Sequence, residues 1–363
     1  MSKYWKWLFL ILILSIVAGT GTYGVKTYFF RHGPEKPFPI KVVEAQRSPL
    51  AIPHYIAIAQ GFYREQNLAL DSNVSRPAEA NQWSLEEKGD IILCNLSQQF
   101  FTQPLGTNTN QIAFASLARK DGTFLLGREQ QTDFSWETLK RRSILGDAPD
   151  EQSNIILEEA LKQNKLTLQQ QVIIIQNVPL ELKVGAFQAG VGHYVQMSEP
   201  LASIAEERGE GWVVAALGDA VEPIPSLIFA ASPSYLKQHG GEIQRFVNGL
   251  CKGMLWLDYH SSSEAATVVA QYFPEIDKQT LEKIIDRYKK LSLWDKSPVI
   301  PKKDYENLQN YVQRSGELTN PVTYKDVVSN RFAQKAANTV KYIPPELQRE
   351  KTLWEKVKTL DFK

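Results

Sequence analysis

A chain of 363 residues, 43% apolar and 22% charged, is long enough for two domains around a sizeable core, and this composition excludes disorder and fibrous repeats. Its 41 basic and 40 acidic residues leave a net charge of +1, so no long-range field recruits nucleic acid.

The N-terminus stands apart. Lys3 and Lys6 precede an uncharged run of 19 residues, Trp7 to Val25. A bilayer core needs about 20 helical residues, so this run predicts a signal-anchor that tethers the chain to the cell membrane. Its basic start and the small residues Gly19, Gly21 and Gly24 also fit a cleaved secretory signal, which would leave a secreted protein. Either way the body is extracytoplasmic. No cysteine follows the run, so lipid attachment in the bacterial lipoprotein manner is excluded. Residues 27–39, with three prolines, read as a linker. Cys94 and Cys251, the two cysteines of the chain, are two buried free thiols or one disulfide, and no His/Cys spacing suits zinc.

Beyond the linker, short apolar runs alternate with helix-length patterns, which predicts an α/β fold with mostly parallel sheets. Strands are expected at 40–45, 69–74, 91–94, 112–117, 123–126, 143–145, 172–175, 193–197, 212–217 and 226–231. Helices are expected at 53–60, 78–88, 98–103, 136–141, 153–164, 179–189, 200–208, 233–239, 244–259, 263–271, 278–289 and 303–315. The last third is nearly all helix and should pack around the sheets. In "SPLAIPHYIAIAQGFYREQNLAL" Pro53 suits the first helical turn, while Gly61 and Asn67 are placed to end helical turns in the left-handed region. The unit is strand–helix–strand.

That stretch resembles the opening of ABC-importer substrate-binding proteins of the nitrate/sulfonate/taurine/thiamine-pyrimidine group. The matching residues are Gly61, Phe62, Tyr63, Glu65, Asn67 and Leu68, followed by Gly89 and Asp90 before "IILC". Further on, "LKVGAFQAGVGHYVQMSEPLASIAEERG" is similar to the second-lobe helix, strand and Glu-Pro helix start, with Gly190, Glu199 and Pro200. Gly192 replaces an acidic residue often found there, and "GDAPDEQSN" replaces a glycine-serine-rich loop, which bears on ligand identity more than on fold. The resemblance implies a bilobal periplasmic-binding-protein fold with two sheets and two hinge crossings. Residues 1–37 would form anchor and linker, 38–125 with 228–340 lobe one, 126–227 lobe two, and 341–363 a tail. The crossings would lie near 126–133 and 222–232. A monomer that loads a small molecule and delivers it to a membrane permease and its ATPase is implied; no cofactor is.

In open α/β sheets, ligands sit outside the carboxyl ends of strands, where helix starts present free N–H groups. Four such junctions supply Ser48, then Asn95 and Ser97, then Asp147 to Ser153, then Ser198 and Glu199. The same residue types also serve as plain helix caps. Arg47 and Arg119 directly follow strands and could pair with an anion. Asp147, Asp150 and Glu199 would instead favour a zwitterion, an amine or an aminopyrimidine. His54, Tyr55, Trp83 and Tyr194 could stack on a heterocycle or belong to the core. His32, His54, His193, His239 and His260 show no metal-protease spacing, and neither a nucleophile elbow nor a phosphate loop occurs, so an enzyme is not expected.

Overall fold

The computed structural model describes residues 36–44, 47–74, 90–102, 111–176 and 178–347. The apolar run at 7–25, the helix expected at 78–88 with Trp83, and residues 348–363 lie outside them. Among the described residues no helix is long and apolar enough to cross a membrane.

The first sheet begins with β1 (Phe38–Glu44), which passes through a 3-10 turn (Pro49–Ala51) into α1 (Ile52–Ala59), α2 (Phe62–Glu65) and β2 (Leu68–Val74). β3 (Ile91–Asn95), α3 (Ser97–Thr102) and β4 (Ile112–Ala118) follow. The second sheet takes β5 (Thr123–Gly127), β6 (Arg142–Leu145), α4 (Gln152–Gln163), β7 (Val172–Ile175) and α5 (Leu180–Gln188). It is completed by β8 (Tyr194–Ser198), α6 (Leu201–Glu207) and β9 (Trp212–Ala216). β10 (Leu227–Ala231) returns to the first sheet. The remaining helices are α7 (Pro233–Gln238), α8 (Gly240–Tyr259), α9 (Ser262–Val269), α10 (Lys278–Lys290), α11 (Lys302–Ser315), α12 (Tyr324–Val327) and α13 (Arg331–Thr339).

The two sheets repeat one plan, β2-β1-β3-β10-β4 and β7-β6-β8-β5-β9. Both are mixed, with one strand, β10 or β5, inserted antiparallel among parallel ones, in keeping with the expectation of mostly parallel sheets. β1 pairs with β3, and β6 with β7 and β8, in parallel. β10 runs antiparallel to β3 and β4, and β5 antiparallel to β8 and β9. The reason is entry direction. β5 and β10 carry the chain into a sheet from the other one, so they start where their neighbours end. The chain changes sheet over 119–122, ahead of the 126–133 expected, because Thr123–Gly127 already pairs with β8. It returns over 217–226.

Helix 136–141 is only a 3-10 turn, Trp136–Leu139. Helices α12 and α13 were not expected. The buried stripe of α13 is Phe332, Ala333 and Ala336. Pro53 does sit in the first turn of α1, and Gly61 and Asn67 are left-handed at φ 74° and 54°. Both cysteines are free and buried, and burial pushes their thiols up to about 12 at Cys94 and about 11 at Cys251. His54 is core. It is fully buried among Tyr55, Tyr63, Phe229 and Phe246, with Nδ1 2.7 Å from the Tyr63 hydroxyl. Burial lowers its pKa to about 3, so the ring is neutral.

Helix α1 lies directly on α8. A Cβ at Gly253 would stand 2.5 Å from the Pro53 carbonyl oxygen and 2.9 Å from the Ala57 Cβ. Only glycine permits that approach. Gly253→Ala should therefore cost about 1–3 kcal/mol by overpacking, read as a lower urea midpoint. An unchanged midpoint would show that the helices have room to separate.

Candidate functional site

The carboxyl ends of β1, β3 and β4 and those of β6 and β8 lie at one seam, because β10 starts beside Asn95 and Ala118 and β5 starts beside Ser198. At its centre is Gln152, the first residue of α4, which is 1% exposed. Its Oε1 accepts from the Ser97 backbone N–H at 3.3 Å. Its Nε2 donates to the carbonyl and the hydroxyl of Ser226, each at 3.2 Å. One amide from the second-sheet side thus satisfies groups at β3–α3 and just ahead of β10.

A second amide continues the chain of contacts. Gln196 of β8 is fully buried, and its Nε2 donates to the Ser153 carbonyl at 2.7 Å and to Thr123 Oγ1 at 3.3 Å. Its Oε1 is buried without a hydrogen-bond partner among the described residues, a costly condition for a buried acceptor. Thr123 donates from both backbone N–H (2.9 Å) and hydroxyl to Asp121 Oδ1. Ser153 donates to Asp147 at 2.5 Å, and Lys183, 2% exposed, ion-pairs with the same carboxylate. Ser97, Asp147, Ser153 and Ser198 are therefore gathered at this seam, joined through Gln152, Gln196 and Thr123.

The other expected residues have partners of their own. Ser48 caps the turn at Pro49 by accepting from the Leu50 N–H at 3.2 Å. Asn95 ends β3 opposite Leu227. Arg47 pairs with Glu44 at 3.3 Å and lies 5.5 Å from the centroids of Tyr55 and Tyr272. Glu44 also accepts from the Tyr55 hydroxyl at 2.5 Å, and burial holds its pKa above the usual value against these bonds. Arg119 donates to Asp304 at 2.7 Å and Asp295 at 3.0 Å. With Lys120, Trp294 and Pro223 it lines a cavity of about 560 Å³. Glu199 accepts from Ser203 N–H and hydroxyl at 3.0 Å each and from Arg287 at 2.7 Å. Burial raises its pKa, and Arg287 opposes the rise. Tyr194 is buried against Phe134.

Gln196, Thr123, Asp121, Ser226 and Lys183 were not singled out in the sequence, and Gln152 only as part of the junction 147–153. Gln196 did carry a signal, as an amide inside the apolar run "YVQM" of a strand. Lys183 carried none, since a lysine on a helix is ordinarily solvated. Among the described residues no group of three or more His, Cys, Asp or Glu could hold a metal ion.

The model of the NMT1/THI5-like family matches residues 48–260. The Bacillus subtilis (strain 168) protein named "Putative binding protein YtlA" is 31% identical over 300 residues, 82% of this chain and 90% of that one. Among solved structures, the ligand binding component of an ABC-type import system from Staphylococcus aureus, with zinc bound, aligns at TM-score 0.64 and 16% identity over 82% of this chain and 99% of that one. The periplasmic aliphatic sulphonate binding protein SsuA from Escherichia coli aligns at TM-score 0.63 and 14% identity over 84% and 100%. At such identities these structures show the fold alone: two mixed sheets flanked by helices, as in the periplasmic-binding-protein fold.

The crossing residue Asp121 makes the seam sensitive to pH. Burial raises its pKa above the ordinary 3.8, the Thr123 bonds oppose this, and Asp147 adds to it. A raised native pKa means the folded state binds the proton more tightly, so this contribution is present at low pH and lost as pH rises through the raised value. In Asp121→Asn the contribution disappears while an Oδ1 acceptor for Thr123 remains. Wild-type stability relative to the variant should fall as pH rises from 3.8 through that window, measured by urea unfolding across pH. Parallel pH profiles would contradict the assignment.

Proposed function

The chain belongs to the NMT1/THI5-like family, and on that premise we propose that it is the extracytoplasmic substrate-binding component of an ABC importer, a binding protein rather than an enzyme. It takes up a small organic or inorganic anion of the sulfonate, taurine or nitrate type between two lobes and passes it to a membrane permease with its ATPase. Lobe one is built on the first sheet and lobe two on the second, with the sheet changes at 119–122 and 217–226 as the two crossings. Ser48, Asn95 and Ser97 face the ligand from lobe one, and Asp147, Ser153 and Ser198 from lobe two. Arg47, Arg119 and Glu199 tune its charge.

The observation that supports this reading most is the Gln152 bridge. It joins strand ends of both sheets through hydrogen bonds that a small polar ligand could exchange for its own. The import system named for the Staphylococcus protein and the sulphonate named for SsuA support the transport role and the ligand class. A second reading, a neutral pyrimidine-like ligand, is favoured by the charge pattern. Arg47, Arg119 and Lys183 each already pair with a carboxylate, so an anion would compete with Glu44, Asp295, Asp304 or Asp147.

A thermal-shift panel of sulfonates, taurine, nitrate, carboxylates and pyrimidines tests the proposal. At 100 times its Kd a true ligand adds about 2.7 kcal/mol by mass action, and one chemical class should raise the melting temperature in proportion to log concentration. Stabilisation by pyrimidines alone would select the second reading. Chemical conversion of the stabilising compound would overturn the binding-protein reading itself.

A further inference from the structure

The segment that follows α10 is stitched to the outer edge of the first sheet. The Arg119 N–H donates to the Leu293 carbonyl at 2.9 Å and the Ser116 N–H to Pro298 at 2.8 Å. Trp294 bridges to Ala118, and its Nε1 donates to the Leu50 carbonyl at 2.9 Å. The helices on either side of this anchor both reach the second sheet. Helix α10 packs on α9, which packs on α1, yet α10 also contacts α6. Helix α11 contacts both α3 and α4.

Each arm ends in an arginine on a buried glutamate. Arg287 of α10 pairs with Glu199 at 2.7 Å and with Glu206 of α6, and the Glu199 side chain is 0% exposed. Thr280 donates to Glu207 at 2.8 Å, and the Tyr288 hydroxyl donates to the Gly122 carbonyl at 3.1 Å. On the other flank Arg314 of α11 grips Glu159 of α4 through two nitrogens, at 2.7 and 3.0 Å, with the carboxylate 5% exposed. The Glu222 N–H donates to the Tyr311 hydroxyl at 3.1 Å, and Asn307 donates to the Pro223 carbonyl at 2.9 Å. Apolar packing follows the same path, since one core cluster includes Val43, Ile92 and Phe100, then Tyr305 and Leu308, then Ile155 and Leu157.

We infer that α10 and α11 form a yoke that holds the two sheets in a fixed relation, with Arg287 and Arg314 as its two locks. The sheets cannot rotate about the crossings at 119–122 and 217–226 unless a lock is released or its helix travels with the second sheet. Bidentate and buried guanidinium–carboxylate pairs suit this task, because they are specific in geometry and lose most when separated. The consequence that lock release gates ligand entry rests on the binding-protein reading; the mechanical role does not.

Spin labels at Glu129→Cys, on the second-sheet side, and Lys237→Cys, on the first, read the separation without any ligand. Both positions are exposed, and the native Cys94 and Cys251 are buried. The parent protein should give one narrow distance distribution. Removing one lock together with its carboxylates avoids an unpaired buried charge: Arg287→Met with Glu199→Gln and Glu206→Gln, or separately Arg314→Met with Glu159→Gln. Either set should broaden the distribution and lengthen its mean. The second set alters a half-exposed arginine and so keeps the test available if the first fails to fold. A distribution in the Arg314 set as narrow as the parent's, at the same mean, would overturn the yoke. Because no ligand is added, failure here leaves the transport proposal untouched, and a failed ligand panel leaves this result standing.

Discussion

The structure depends on one constraint of strand pairing: β5 and β10 each enter a sheet between two strands that run the opposite way. An antiparallel strand begins where its neighbours finish. The two places where the chain changes sheet must therefore lie at the carboxyl ends of the parallel strands. Those ends are also where helices start and where α/β sheets bind ligands. The two sheet changes and the candidate site fall in one seam for a single geometric reason.

What fills that seam is chiefly neutral amide and hydroxyl chemistry, with the charges matched around it. Gln152 and Gln196 carry donors and acceptors without the desolvation cost of an ion. The carboxylates nearby are buried enough that their pKa values rise, at Glu44, Asp121 and Glu199 alike. Lys183, Arg47 and Arg287 offset part of that cost by pairing with them or their neighbours. A ligand entering such a seam exchanges hydrogen bonds more readily than it displaces ion pairs. The same logic makes Glu199 a support for α10 in this structure, through Arg287, as well as a residue of the Glu-Pro motif.

Much of the fold was legible because its strands are short, apolar and punctuated. The apolar runs at 91–94, 172–175 and 226–231 became β3, β7 and β10 with ends moved by at most a residue or so. The direction of the two inserted strands was not legible. Nothing local in "TFLLG" or "LIFAA" distinguishes a parallel strand from the antiparallel one that each proved to be, because both are buried on two faces. Of the site, the junction serines could be named from strand–helix order, but their partners could not. Gln152 meets Ser97 across 55 residues of sequence, and Arg287 meets Glu199 across 88, so each pairing exists only once the sheets are placed. Arg119 illustrates the reverse: its position after β4 was correct, while Asp295 and Asp304, far along the chain, decide its electrostatic role.

A small ligand bound at the seam, as proposed, would contact both sheets. Hydrogen-exchange mass spectrometry of the full chain, with and without a stabilising compound, tests it directly because it locates protection by segment. Binding there should add protection in two sets of peptides together: 95–99 and 224–228 from the first sheet, and 147–156 from the second. Protection confined to one sheet, or centred on the cavity beside Arg119 and Trp294 with the Gln152 peptides unchanged, would contradict it.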